Sequence, residues 1–150
     1  MVEKEKRERL KRYLALKMEN ENRLDKLARL KSNAELPPMR GGDESQHTAP
    51  SGDKLPRSVE EYTAYEEKIA PLIRANQREM EIIEKAIAAV RDPMEREVLR
   101  LRYLDADFTK LLYWKDVARA IYKKDDKNSV DAVIRLHTRA LSSVRFEKKT

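Results

Sequence analysis

The chain has 150 residues, of which 40% are charged and 6% aromatic, with only three glycines; that balance fits long solvent-exposed helices over a modest core better than an α/β enzyme, which needs glycine for turns and ligand loops. It contains no cysteine, so disulfides and thiolate metal sites are excluded, as suits a reducing cytoplasm. The net charge is +6, no apolar run reaches the roughly 18–20 residues that span a membrane, and the opening "MVEKEKRERLKR" lacks the apolar stretch of a secretory signal, so a cytoplasmic protein without membrane partners is expected.

Residues 1–34 carry eleven basic against six acidic side chains, and 3–33 contain neither proline nor glycine. This predicts one long helix. Its main apolar positions are Leu10, Tyr13, Leu24, Leu27 and Leu30. A heptad seam drawn through Leu10, Tyr13, Leu24 and Leu27 also takes in Lys17, Asn20 and Lys31, so the seam is weak and needs a partner helix. Residues 35–57, "ELPPMRGGDESQHTAPSGDKLPR", hold four of the six prolines and all three glycines, which predicts a flexible loop. His47 belongs to this stretch and has no second ligand nearby, so it is expected to be polar surface and not a metal ligand.

Ser58 and Glu61 have the spacing of a capping box, in which each side chain satisfies an amide of the first helical turn. A second long helix is therefore expected over 58–91. Its apolar stripe runs through Tyr62, Tyr65, Ile69, Leu72, Ile73, Met80, Ile83, Ile87 and Val90. Pro71 interrupts it, so a kink or break is expected near 67–70. This segment carries five basic and seven acidic residues. Pairing with the basic first helix would match opposite charges along an apolar seam, giving a long, coiled-coil-like helical hairpin.

Residues 92–150 are basic again, with fourteen Lys and Arg against ten Asp and Glu. A basic terminal unit invites a polyanion. In "RDPMEREVLRLRYLD", Asp92 is an N-cap, Pro93 suits the first helical turn and Glu95 closes the cap. Val98, Leu99, Leu101 and Leu104 are spaced to face a core. "DADFTKLL" breaks the pattern, and "YWKDVARAIY" predicts a fourth helix with Trp114, Val117, Ala118 and Ile121 inward. The turn "KKDDKN" follows, longer than the three or four residues of a compact helix-turn-helix and without its glycine.

The last helix, "NSVDAVIRLHTRALSSV", is expected to start with Asn128 as N-cap and Asp131 three residues on. Val130, Val133, Ile134, His137, Leu141 and Val144 share one side at helical spacing and should pack inward, with His137 a structural histidine bonded to backbone. The other side carries Ala132, Arg135, Leu136, Arg139 and Ser143, with Asn128, Ser129 and Asp131 toward the start. These eight are the candidate DNA-binding residues. Arginine can bridge guanine acceptors or hold a phosphate, alanine lets a backbone approach, and leucine can meet a thymine methyl. Asn128 and Ser129 sit where helix N-termini meet phosphates.

The runs "RDPMEREVLRLRYLD", "YWKDVARAIYK" and "SVDAVIRLHTRALSSV" resemble the fourth region of bacterial sigma factors through Arg102 and Tyr103, then Trp114, Val117 and Ala118, then Arg139, Ala140 and Leu141. Together with the helical hairpin and the Pro/Gly/Ser-rich loop, they resemble phage-encoded late transcription regulators of the RinA/ArpU type. The resemblance implies a DNA-binding regulator working in a bacterial host, with host RNA polymerase a further partner; the acidic pair Asp125 and Asp126 departs from its pattern. The expected architecture is all-α: a long helix (1–34), a loop (35–57), a second long helix (58–91) and a three-helix helix-turn-helix domain (92–150). Double-stranded DNA is the expected partner, with a homodimer formed through the long helices. A small terminase-like packaging subunit and a helical protein-binding adaptor are the alternatives. An enzyme is not expected, because there is no Gly-rich phosphate loop, metal-ligand cluster or nucleophile placed beside either histidine, and no cofactor is implied.

Overall fold

The computed structural model describes residues 1–35, 51–106 and 110–147. The described residues are all-helical, with no strand among them: α1 (Glu3–Glu35), α2 (Ser51–Ala88), α3 (Pro93–Leu99) running into a π-helical turn (Arg100–Leu104), α4 (Trp114–Tyr122) and α5 (Lys127–Ser143). No described helix is long and apolar enough to cross a membrane. The chain divides into two units, a larger one of 1–18 with 76–150 and a smaller one of 19–75.

α2 departs from expectation in two respects. α2 begins at Ser51, so Ser58 lies within the helix and does not cap it. Once nucleated, a helix extends at little cost per residue, and the proline and glycine content of 51–57 is not enough to stop it. Nor does Pro71 break α2, which continues through it. Pro71 and Glu67 are both exposed, so the carbonyl deprived of an amide partner there meets water. The remainder of the expected loop, His47 included, lies outside the described residues.

In the smaller unit the paired positions rise along α1 as they fall along α2. Asn20 is buried on the seam and donates its amide to the Ile73 carbonyl at 3.3 Å. Lys26 stacks 4.8 Å from the Tyr65 ring centre, and Lys31 lies 5.8 Å from the Tyr62 ring centre while its ammonium reaches Glu66 at 3.3 Å. Two of the expected apolar contacts are largely solvent-exposed, Leu24 at 48% and Leu72 at 42%. With two helices only a narrow stripe is covered, and seam positions on its flank stay wet.

The larger unit has the substantial core. Leu10, Tyr13 and Leu14 of α1 meet Ile83 and Ile87 of α2, Leu99 and Tyr103 of the third helical segment, and Leu141 and Val144 at the end of α5. Burying each large aliphatic side chain contributes about 1.5–3 kcal/mol, and Leu99→Ala would remove about 2–5 kcal/mol. Bidentate pairing of Arg9 with Glu79, at 2.7 and 3.1 Å, and donation from Tyr13 to Glu84 at 2.6 Å tie α1 to α2 at the rim. A second, smaller cluster of Val98, Val117, Ala118 and Val133 joins α3, α4 and α5.

α3 starts as its punctuation requires. Asp92 accepts from the amides of Met94 at 2.8 Å and Glu95 at 3.2 Å, and Pro93 occupies the first turn. The buried stripe that follows is Glu95, Val98, Leu99, Tyr103 and Ala106. Leu101 and Leu104, expected inward, are only half-buried. Steps of three residues fall about 60° short of a full turn, so Leu101 and Leu104 drift off the face that steps of three and four maintain. The π-turn closes with the Asp105 amide on the Arg100 carbonyl at 3.0 Å, and Arg100 pairs with Glu97 and Asp105 on its surface.

Candidate nucleic-acid interface

α5 owes its placement to what lies beneath it. Its first half covers the second cluster through Val130, Val133 and Leu136, and its last turns enter the main core through Ala140, Leu141 and Val144. Between them His137 is buried, with Nε2 2.6 Å from the Tyr103 hydroxyl. Its partner is thus a tyrosine of the preceding helical segment and not a backbone group. The Trp114 ring stands edge-on to the imidazole at 4.7 Å between centres. Arg102 stacks over that indole at 4.1 Å and donates to the Leu112 carbonyl just ahead of α4. One histidine therefore joins the segments that present α4 and α5.

Burial, helped by the Arg102 and Arg7 cations, pushes the His137 pKa down to about 4. Burial likewise raises the Tyr103 hydroxyl above its ordinary value and lowers Arg102. A pKa this low keeps the imidazole neutral at pH 7, as suits a side chain packed in the core against Tyr103 and Trp114.

The link between α4 and α5 is four residues, Lys123–Asp126, because α5 starts at Lys127 and not at Asn128. It is shorter than the sequence suggests. The missing glycine is replaced by Lys123, which adopts a left-handed conformation (φ 60°, ψ 20°) and donates its amide to the Arg119 carbonyl at 3.0 Å. Asp126 is the N-cap residue, and Ser129 donates its hydroxyl to the Asp126 carboxylate at 2.7 Å. Asp125 pairs with Arg119 at 2.6 Å, and Arg119 also reaches Asp116 at 3.2 Å. The Arg119 contact lowers the Asp125 carboxyl, and the Ser129 hydroxyl lowers that of Asp126, below the usual carboxylate range. Asp125 and Asp126 are thus both engaged in shaping their own turn.

With the core face fixed, the opposite face follows from helical phase. At about 100° per residue, Asn128, Asp131, Ala132 and Arg139 all lie within about 60° of Arg135, and Ser143 lies at the edge. Asn128, Arg135, Arg139 and Ser143 are exposed, while Asp131 and Ala132 are half-buried. Ser129 and Leu136 stand apart from this group: Ser129 faces Asp126, and Leu136 packs against the second cluster. The apolar residue open to solvent is Ile134, at 38%, which was expected in the core. Thr138 and Ser142 also belong to the exposed face; their hydroxyls reach back to the carbonyls of Ile134 and Thr138. A strict helical wheel centred on Arg135 finds both.

Neither Arg135 nor Arg139 forms an ion pair among the described residues, whereas Arg9, Arg100 and Arg119 are all paired. Also among the described residues, no group of three metal-ligating side chains comes together. The exposed face of α5 thus offers two cationic forks, an amide and short hydroxyls on a rigid rod. Comparison of the chain with protein-family models, with curated proteins and with solved structures finds no match.

Proposed function

We propose that this chain is a DNA-binding transcription regulator of the kind phages and prophages encode, without catalysis, acting in the bacterial cytoplasm. In this reading α4 and α5 are the helix-turn-helix and α5 lies in the major groove. α1 and α2 form the helical hairpin through which two copies dimerise, and host RNA polymerase is a further partner. The observation that carries the reading is the Arg135–Arg139 face, which forms no ion pair among the described residues and is backed along the length of α5 by buried side chains. Arginine is the residue best matched to guanine edges and phosphates, and a helix held by its whole inner face can present such groups without reorganising. The four-residue turn, with a left-handed residue in place of glycine, adds support because the helices of a helix-turn-helix are joined by three or four residues.

Selection of bound sequences from a random duplex library is the direct test. A dimer predicts a two-fold-related site with half-sites about one duplex turn apart. Light scattering on the same preparation should give a dimer mass; an octamer or larger ring points to a packaging subunit instead. If the wild-type chain shows no salt-dependent duplex binding, the proposal fails.

A further inference from the structure

The C-terminal end of α5 lacks the usual means of finishing a helix. Its last turn contains no basic residue, and Val144 beyond it is extended and not left-handed. The Val144 amide takes up the Ala140 carbonyl at 2.8 Å, which leaves later carbonyls open at the negative end of the helix dipole. A side chain from the opposite end of the sequence meets them. Lys6 of α1 donates its ammonium to the Leu141 carbonyl at 2.9 Å and reaches the Ser142 carbonyl at 3.4 Å.

Two neighbours on α1 reinforce this contact. Glu3 accepts the Ser142 hydroxyl at 3.1 Å. Arg9 stacks 4.6 Å from the Phe146 ring centre while its fork holds Glu79 of α2. The opening turns of α1 thus grip the last turn of α5 and Phe146 beyond it, and Arg9 anchors that grip to a third helix. Leu10 and Leu14, on the same stretch of α1, belong to the apolar core that also holds Leu141 and Val144.

We infer that Lys6 is a positioning residue for α5: by capping its C-terminal carbonyls from α1, it fixes the orientation of the Arg135–Arg139 face. The inference rests on the DNA reading only for its functional consequence. The clamp itself is a property of the free protein. Displacement of the first turns of α1 loosens the far end of the reading helix and blurs its choice of sequence, while its cations still attract duplex.

The test compares the full chain carrying Lys6→Met, which keeps the aliphatic stem and removes the charge, with Lys6→Arg, which keeps a cationic donor. Amide hydrogen exchange is followed at Leu141–Val144 in the free protein. Affinity is measured for a duplex selected by the wild type and for a scrambled duplex. Lys6→Met should speed exchange at these amides about tenfold, the scale of one charge-assisted cap. Exchange at Val98 and Leu99 should stay unchanged. The ratio of selected to scrambled affinity should fall several-fold, and Lys6→Arg should restore both. Unchanged exchange overturns the clamp whatever the DNA result. Faster exchange with an unchanged affinity ratio overturns the positioning role. Absence of duplex binding by the wild type overturns the DNA reading and the specificity consequence, and the exchange measurement still decides the clamp.

Discussion

The Tyr103 hydroxyl and His137 Nε2 meet at 2.6 Å in the core, 34 positions apart in the chain. Because burial holds His137 near a pKa of about 4 against an ordinary 6.5, the unfolded chain takes up that proton first. The folded pKa is depressed, so this contribution to stability is complete above pH 6.5 and declines as pH falls toward 4. Unfolding free energy should drop by about 2–3 kcal/mol over that range through His137 alone. Urea titrations at pH 7.5 and pH 4.5 on the wild type and His137→Gln, whose amide can still meet Tyr103, isolate the effect. An equal acid loss in both proteins would show that another group is responsible.

Leu136 and Ile134 exchange the roles that their spacing suggests. Leu136 packs on the second cluster and Ile134 is 38% exposed. Leu136→Ala should therefore destabilise by about 1–2 kcal/mol, less than a fully buried leucine would, and Ile134→Ala by less than about 0.5 kcal/mol. Chemical denaturation of the two variants checks the order. Conversely, Ile134→Ala is the substitution expected to perturb contacts made by the outer face.

The difference between these two residues marks how far the sequence could be followed. The core side of α5 was legible at Val133, His137, Leu141 and Val144 because each stays within about 40–60° of one direction under a 100° step. Ile134 and Leu136 lie on opposite flanks of that stripe, where the choice depends on where α4 sits, and no periodicity contains that. The start of α3 was legible because Asp92 and Pro93 act locally. The start of α2 was not, since Ser58 and Glu61 have capping chemistry that a longer helix leaves unused as a cap. Tyr103 gave no signal of its partner, because a hydroxyl and an imidazole distant in sequence meet only after packing. Lys6 was equally silent: one lysine among many on a basic helix, distinguished only by the carbonyls it reaches.

Lys123 supplies a further test. A lysine at φ 60° bears a Cβ clash that glycine lacks, of about 1 kcal/mol. Lys123→Gly gives up an exposed bond from its ammonium to the Ala120 carbonyl, worth little in water. It should raise the melting temperature by about 1–3 °C for a chain of this size. Lys123→Val, whose branched Cβ is least tolerant of that conformation, should lower it. A glycine variant that melts below the wild type would mean that the turn gains more from the lysine side chain than it loses to strain.

Arg135 and Arg139 sit one turn apart on the exposed face, but their distances from the start of α5 differ. The N-terminal part of a recognition helix meets base edges, and later positions meet the backbone. If α5 lies in the groove as proposed, Arg135, the nearer of the two to its start, is expected to meet base edges and Arg139 phosphate. Arg135→Ala should cost about 1–3 kcal/mol on the selected duplex and little on a scrambled one, relaxing preference at the base pair it reads. Arg139→Ala should weaken both duplexes alike and reduce the slope of log affinity against log salt by about 1, as expected for one lost phosphate contact. Fluorescence anisotropy over a salt series on both duplexes separates the two behaviours. If the slopes and preferences are reversed, α5 enters the groove from its other end. If Arg135→Ala with Arg139→Ala leaves duplex binding unchanged at moderate salt, this face does not read DNA.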